Sequence, residues 1–263
     1  MKVAILGAGN VATHLAKALI KAGYPVKQVW SRHHQNAVDL ALQIGANSIQ
    51  EIADLSKQID VVIIAVKDDA IESIAAKVPP SNQPRLVLHT SGSTNISVLE
   101  KHNQNCGVLY PLQTFSKHAD LDFSNVPLLV EANHQQAEEQ LMLLAKKLSK
   151  TVEKVNSENR MRIHVSAVFA CNFTNHFYAI AEKLIAETNL DLDLIRPLIL
   201  ETAQKAMLNS PQIAQTGPAR RNDELTINKH LDLLKNNPPL QNLYAIVSQD
   251  IVKMYQTPHL SHK

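Results

Sequence analysis

The stretch MKVAILGAGNVATHLAKALIK, Met1 to Lys21, decides the fold. A short apolar run, Val3 to Leu6, leads directly into Gly7-Ala8-Gly9-Asn10-Val11-Ala12. After it, Val11, Leu15, Ala18 and Leu19 recur three and four residues apart, the spacing of one helical face. The pattern predicts a strand, a tight turn and a helix. The turn fits the G-x-G-x-x-G/A dinucleotide fingerprint, and each position has a mechanical reason. Gly7 permits the sharp turn, Gly9 has no Cβ and lets a pyrophosphate approach the backbone, and Ala12 is small enough for the helix to pack close to the strand. The helix N-terminus adds unpaired N–H groups and the positive end of its dipole. A Gly-rich turn of this kind also occurs in other α/β proteins, but its place between a clear strand and a clear helix favours cofactor binding.

Composition narrows the class. A chain of 263 residues makes one large or two ordinary domains, and 45% hydrophobic with 19% charged residues builds a core. No apolar run reaches the ~18 residues of a membrane span, and Met1-Lys2 runs straight into the first strand without room for a signal peptide, so a cytoplasmic chain off the membrane is expected. Cys106 and Cys171 give neither a disulfide framework nor metal spacing, which fits a reducing compartment. Of the 12 histidines, pairs such as His33-His34 and His259/His262 fall in expected loops or the tail rather than at helical ligand spacing, so no metal is expected. A formal charge of +2 with no basic stripe among aromatics argues against nucleic acid. The modest basic bias suits an anionic cofactor or acidic substrate.

The second strand, Val26 to Trp30, ends at the point that decides the cofactor. NAD-binding versions place a carboxylate about 20 residues after the glycines for the ribose 2′-OH; here Trp30-Ser31-Arg32-His33 stands instead. Ser31 offers a hydrogen bond, and Arg32 pairs with a phosphate and lies flat on an adenine, so NADP(H) is favoured over NAD(H). A solvated Ser-Arg at a helix start is the plainer reading. A helix over His33 to Ile44 ends at Gly45, and Glu51 to Leu55 makes a helical turn. Ile59 to Val66 reads as a buried parallel strand whose end brings Val66, Lys67 and Asp68 to the crevice, with Asp68 or Asp69 able to cap a helix over Ala70 to Lys77. Pro79-Pro80 stops that helix. The strand Arg85 to His89 opens into Thr90-Ser91-Gly92-Ser93-Thr94, either a substrate-facing loop or a turn capping the helix Ile96 to Lys101. Gly107 to Tyr110 ends in Pro111-Leu112-Gln113-Thr114-Phe115 at the same edge. Val126 to Val130, the helix Gln135 to Ser149 and the strand Thr151 to Val155 complete about eight strands.

From Ser157 the pattern is helical, over Asn159 to Glu187, Leu192 to Asn209, Thr226 to Leu234 and Leu240 to Met254, which sets a domain boundary near Asn156. The expected organisation is a Rossmann doubly wound α/β domain over 1–156 followed by an all-α domain over 157–263. On the long helix Asn172, Asn175 and His176 share a face, with His164 and Cys171 near the same stripe. Their small and apolar neighbours suggest a buried or cleft position, serving either substrate contact or hydrogen bonding between helices or subunits. Thr216-Gly217-Pro218-Ala219-Arg220-Arg221-Asn222-Asp223 offers two arginines suited to a carboxylate or phosphate, or a helix start capped by Asn222 or Asp223.

Together GAGNVA, VWSR, HTSGS, LYPLQTFS, ACNFTNHFY and TGPARRND resemble a family of Rossmann oxidoreductase-like proteins with a helical C-terminal domain of unknown function. That family is similar to pyrroline-5-carboxylate reductase, the 6-phosphogluconate and β-hydroxyacid dehydrogenases and the deazaflavin-dependent NADP reductases. The resemblance spans nearly the whole chain. It implies an NADP-binding N-terminal domain, a helical domain that forms a homodimer contact, and an active site in the cleft between them. One departure is chemical: β-hydroxyacid dehydrogenases use a lysine on the long helix, and here none stands before Lys183. The resulting expectation is an NADP(H)-dependent oxidoreductase acting on a small, acidic substrate. Gly7, Ala8, Gly9, Asn10 and Val11 would hold the pyrophosphate, Ser31 and Arg32 the 2′-phosphate, and Val66, Lys67, Thr90 and Ser91 the rest of the cofactor. Ser91, Ser93, Gln113, Asn172 and Asn175 would position substrate, His176 would donate the proton and Arg220 would clamp an anion. A deazaflavin- or imine-type reductase and a non-catalytic NADP-binding sensor or scaffold are the rival readings.

Overall fold

The computed structural model describes residues 1–81, 83–116 and 121–256; the expected His259/His262 pair lies outside them. The strands are β1 (Val3–Leu6), β2 (Val26–Trp30), β3 (Asn47–Ile49), β4 (Val61–Ile64), β5 (Leu86–His89), β6 (Cys106–Pro111), β7 (Leu128–Ala132) and β8 (Val152–Lys154). Between them run α1 (Asn10–Lys21), α2 (His34–Ile44), α3 (Ile71–Ala75), α4 (Ser97–Glu100) and α5 (Gln135–Leu148). The eight strands form one sheet in the order β3-β2-β1-β4-β5-β6-β7-β8, the Rossmann doubly wound sheet expected from the sequence.

Alternation along each strand builds two cores. Val3 and Ile5 face a cluster with Leu15, Leu19, Leu40, Leu141 and Leu144 under α1, α2 and α5. Ala4 and Leu6 face a second cluster with Ile71, Ile74, Ile96 and Leu99 under α3 and α4. Both faces of the central strands are covered, which is why they read as unbroken apolar runs.

Two details differ from the sequence reading. The short β3 carries the polar run Asn-Ser-Ile and pairs with β2, a strand too brief and too polar to show as a pattern. β7 runs antiparallel to β6, because the connection between them holds only the single turn Phe123–Asn125 among the described residues and no crossover helix. The β7-α5-β8 unit that follows is parallel, as expected.

After the sheet come α6 (Ser157–Ala167), a π-helical segment (Val168–Phe173) and α7 (Thr174–Ala186), a helical run that the sequence showed as uninterrupted α. The hydroxyl of Thr174 donates to the carbonyl of Phe169 five residues back, at 3.0 Å, within this wider turn. Helices α8 (Arg196–Leu208), α9 (Pro211–Ala214), α10 (Glu224–Leu233) and α11 (Pro238–Gln256) complete the chain. It divides into two compact units, 1–178 and 179–263. The strands end at Lys154, yet the first unit extends to Tyr178, since α6 is hydrogen-bonded to the sheet and its loops.

Candidate active site

The turn after β1 has the geometry a dinucleotide needs. Gly7 has φ +132°, and a Cβ there would lie 2.0 Å from the carbonyl oxygen of Ala65 at the end of β4, so only glycine fits. A Cβ on Gly9 would meet nothing within 4 Å. Gly9 is the N-cap of α1 and brings no side-chain cap, which leaves the first N–H groups of this 12-residue helix facing that open space. Asn10 is committed elsewhere: its Nδ2 donates to the carbonyl of Phe115 at 2.8 Å, and His14 bonds the carbonyl of Ser116 at 2.8 Å. These two bonds tie the loop after β6 to α1. At the end of β2, Ser31 is half-buried and Arg32 exposed, and neither side chain has a hydrogen bond or ion pair among the described residues.

Register brings the second group of residues together. Ile64, His89, Val108 and Glu131 lie level across β4, β5, β6 and β7. His89 is fully buried, and its Nδ1 accepts from the N–H of Ser91 at 3.1 Å, so the ring proton sits on Nε2. Burial holds its pKa far down, to about 3, with the Arg160 charge adding to the shift and Asp68 opposing it. The hydroxyl of Ser91 folds its own loop by accepting from the N–H groups of Ser93 at 3.1 Å and Thr94 at 2.9 Å. Asp68 does not cap a helix as expected; it accepts from the hydroxyl of Ser93, joining the β4 and β5 loops.

The start of α6 is anchored on this row. Asn156 caps the helix through the N–H of Asn159 at 2.9 Å. Arg160 is only 1% exposed; it pairs with Glu131 and donates to the carbonyl of Thr94 at 2.6 Å and the hydroxyl of Ser157 at 3.0 Å. Glu131 also accepts from the N–H and hydroxyl of Ser157, at 2.9 and 2.7 Å. One turn along α6, His164 Nδ1 lies 3.0 Å from the Tyr110 hydroxyl. Burial raises the Tyr110 pKa, reinforced by Asp68 and opposed by Arg160, so its phenol stays protonated at neutral pH.

Tyr110 and His164 border a cavity of about 350 Å³, lined also by Leu112, Gln113, Val168, Cys171 and Asn172. The structure therefore places Gln113 and Asn172 of the expected substrate residues in one pocket. Asn175 and His176 are exposed further along the helix, without hydrogen bonds among the described residues. Thr90 is half-buried at the end of β5, with its N–H on the carbonyl of Ile64, while Val66 and Lys67 follow β4. In the second unit Arg220 stacks on the ring of Tyr255 at 4.1 Å, and Asp223 caps α10 through the N–H of Thr226 at 3.1 Å.

The sequence reading passed over Tyr110, Glu131 and Arg160 and left His164 without a role. Glu131 and Arg160 lie 29 residues apart on a strand and a helix, a separation at which no local pattern betrays a pair. Tyr110 carried a signal: it alternates with Val108 at the end of a strand already placed at the crevice.

The family described as NADP oxidoreductase, coenzyme F420-dependent, matches residues 2–92, and a domain of unknown function, DUF2520, matches residues 126–251. A candidate NADP oxidoreductase from Bacteroides fragilis is 39% identical, with 96% of this chain and 98% of that one covered and a TM-score of 0.89. The chain belongs to the NADP oxidoreductase-like family of that protein. A reductive aminase from Aspergillus terreus, solved with NADPH and ethyl-5-oxohexanoate, shares the fold at 16% identity, with 96% and 97% covered and a TM-score of 0.67. So does a pyrroline-5-carboxylate reductase from Coxiella burnetii, at 16% identity, 97% and 98% covered and a TM-score of 0.58. Among curated proteins none matches the chain in sequence.

His89 makes the site acid-sensitive. Its folded pKa is depressed to about 3 from the ordinary 6.5, so the unfolded chain binds the extra proton and stability falls as pH drops from about 6.5 towards 3. The slope due to this group approaches about 1.4 kcal/mol per pH unit inside that window. In His89→Asn, which keeps an acceptor for Ser91 N–H but does not titrate, thermal melts across the window should show a shallower acid-side decline than wild type, whatever the variant's stability at neutral pH.

Proposed function

We propose that the chain is an NADP(H)-dependent oxidoreductase that moves a hydride to or from a small carbonyl or imine compound bound in the Tyr110–Asn172 pocket. The observation that carries this reading is Gly9, open to solvent at an uncapped helix N-terminus beside a Gly7 that no other residue can replace. The N–H groups of Asn10, Val11 and Ala12 would bind the pyrophosphate with Ala8 beside them, and Ser31 and Arg32 the 2′-phosphate. Val66, Lys67, Thr90 and Ser91 would border the remainder of the cofactor at the ends of β4 and β5. The nicotinamide supplies the hydride when bound. Gln113 and Asn172 would hydrogen-bond the substrate, with Ser93 and Asn175 as further contacts. Among the described residues the pocket lining combines hydrogen-bonding groups with apolar walls, which suits a small polar reactant.

A deazaflavin partner for the nicotinamide is a second reading, favoured by the family that residues 2–92 match. Under it, a deazaflavin would take the place of the carbonyl compound, its oxidised form accepting hydride from NADPH or its reduced form donating hydride to NADP⁺, and no strong general acid would be required.

We also propose a homodimer formed through the helical part. Among the described residues after Tyr178 only Ala219 and Ser248 are buried, while Met207 and Leu208 are 85% and 83% exposed. Helices with this much uncovered apolar surface lack a core of their own and are stabilised by a second copy.

Two measurements test these readings. In calorimetric titration wild type should prefer NADPH over NADH by about tenfold or more, and Arg32→Ala should lose the preference by weakening NADPH alone; equal affinities in wild type would refute the phosphate site. Light scattering of the purified chain should give twice the chain mass, and a monomer at micromolar concentration would refute the dimer.

A further inference from the structure

The pocket contains an acid–base group that neither the sequence motifs nor the family descriptions assign. His164 and Tyr110 lie against Gly92, where a Cβ would come within 2.8 Å of both His164 Nδ1 and Tyr110 Cζ. Glycine at that position is what lets the two rings reach the loop after β5. They meet nearly edge to face, with centroids 5.9 Å apart and planes at 79°. Nδ1 is engaged by the Tyr110 hydroxyl. The other nitrogen, Nε2, makes no hydrogen bond among the described residues and is not among their sealed polar atoms, which are His89 Nε2 and Arg160 Nε. His164 lines the cavity, so Nε2 is its free, accessible nitrogen there.

From this geometry, and resting on the hydride-transfer reading above, we propose that His164 carries the proton of the reaction at Nε2, with Tyr110 as the positioning residue that holds the imidazole through Nδ1. In reduction, hydride reaches the carbonyl or imine carbon from NADPH while the Nε2–H bond of the imidazolium breaks and its proton joins the substrate oxygen or nitrogen. The ring is left neutral, with its Nδ1–H donated to the Tyr110 oxygen. In oxidation the neutral Nε2 takes the proton back from the alcohol or amine. The buried Arg160–Glu131 pair one turn earlier fixes the helical phase of His164, and the π-helical segment begins one turn later. Among the described residues His176 has neither a hydrogen-bond partner nor a place in the pocket lining.

The test uses the full chain. Histidine side-chain NMR, with the His164 ring signals assigned by their loss in His164→Gln, compares the two ring nitrogens in wild type and Tyr110→Phe. Removing the phenol oxygen takes away the hydrogen-bond partner of Nδ1, so in Tyr110→Phe the His164 Nδ1 signal should shift by more than that of Nε2. An Nδ1 signal that stays put overturns the arrangement. Diethyl pyrocarbonate, mapped by peptide mass spectrometry, should acylate His164 in the folded protein; a protected His164 overturns the claim that Nε2 is open. In NADPH oxidation with a panel of small ketones, aldehydes and cyclic imines, His164→Gln should lower turnover by about 100-fold with NADPH affinity kept within about twofold, and His176→Gln should not. The reverse pattern would return the role to His176. Failure of wild type to bind NADPH, with the ring-nitrogen and acylation results intact, would count against the cofactor reading and not against the His164–Tyr110 pair.

Discussion

The active face of the first unit depends on one buried ion pair. Arg160 enters from α6, Glu131 from β7, and the arginine's Nη2 reaches the Ser91–Thr94 loop and the first turn of its own helix. Burying two charges costs several kcal/mol per ion before their attraction is counted, so such a pair is a poor device for raising stability. Its effect is positional. Removing either partner would leave a desolvated charge, which costs about 3–5 kcal/mol, and the helix is therefore held to one place against the sheet. His164 sits one turn beyond that anchor, and the pocket residues Val168, Cys171 and Asn172 follow within the next turns.

The sheet prepares the other half. A parallel sheet puts the ends of β1, β4, β5 and β6 at one edge, and level pairing across them sets Ile64, His89 and Val108 in a row. Because β7 is antiparallel, the row continues into a residue near its end, Glu131, rather than near its start. The reversed strand thus delivers a carboxylate to the arginine from the far side of the sheet. Among the described residues, the sealed donors without protein partners are His89 Nε2 and Arg160 Nε, which belong to this same cluster and cannot satisfy each other. Because folded His89 resists protonation, acid works against this cluster.

Much of the fold was legible because it is local. Gly7, Gly9 and Ala12 announce the turn through spacing, Gly45 marks a helix end by its left-handed conformation, and the run from Val61 to Ile64 shows a buried strand by continuous apolarity. The candidate phosphate seat was legible because it sits on such a signal, at Gly7 and Gly9. What escaped is long-range. Glu131 and Arg160 became partners through the direction of β7, and that direction follows from a connection without a helix. Tyr110 and His164 met because Gly92 lacks a side chain, a fact about space and not about sequence spacing. The π-helical segment likewise leaves no periodic mark, since one extra residue in a turn shifts a face without interrupting the helix. Asp68 looked like a cap because acidic residues before helices often are, and a hydroxyl from another loop claimed it instead.

The central claim is that the opening at Gly9 and the uncapped start of α1 form the phosphate seat of an NADP(H) site. The most direct measurement is a backbone amide NMR titration of the ¹⁵N-labelled chain with NADP⁺. The account predicts that the amides of Asn10, Val11 and Ala12 move and saturate together with those of Ser31 and Arg32, at one common affinity. Saturation elsewhere on the chain with those five amides unmoved would contradict it.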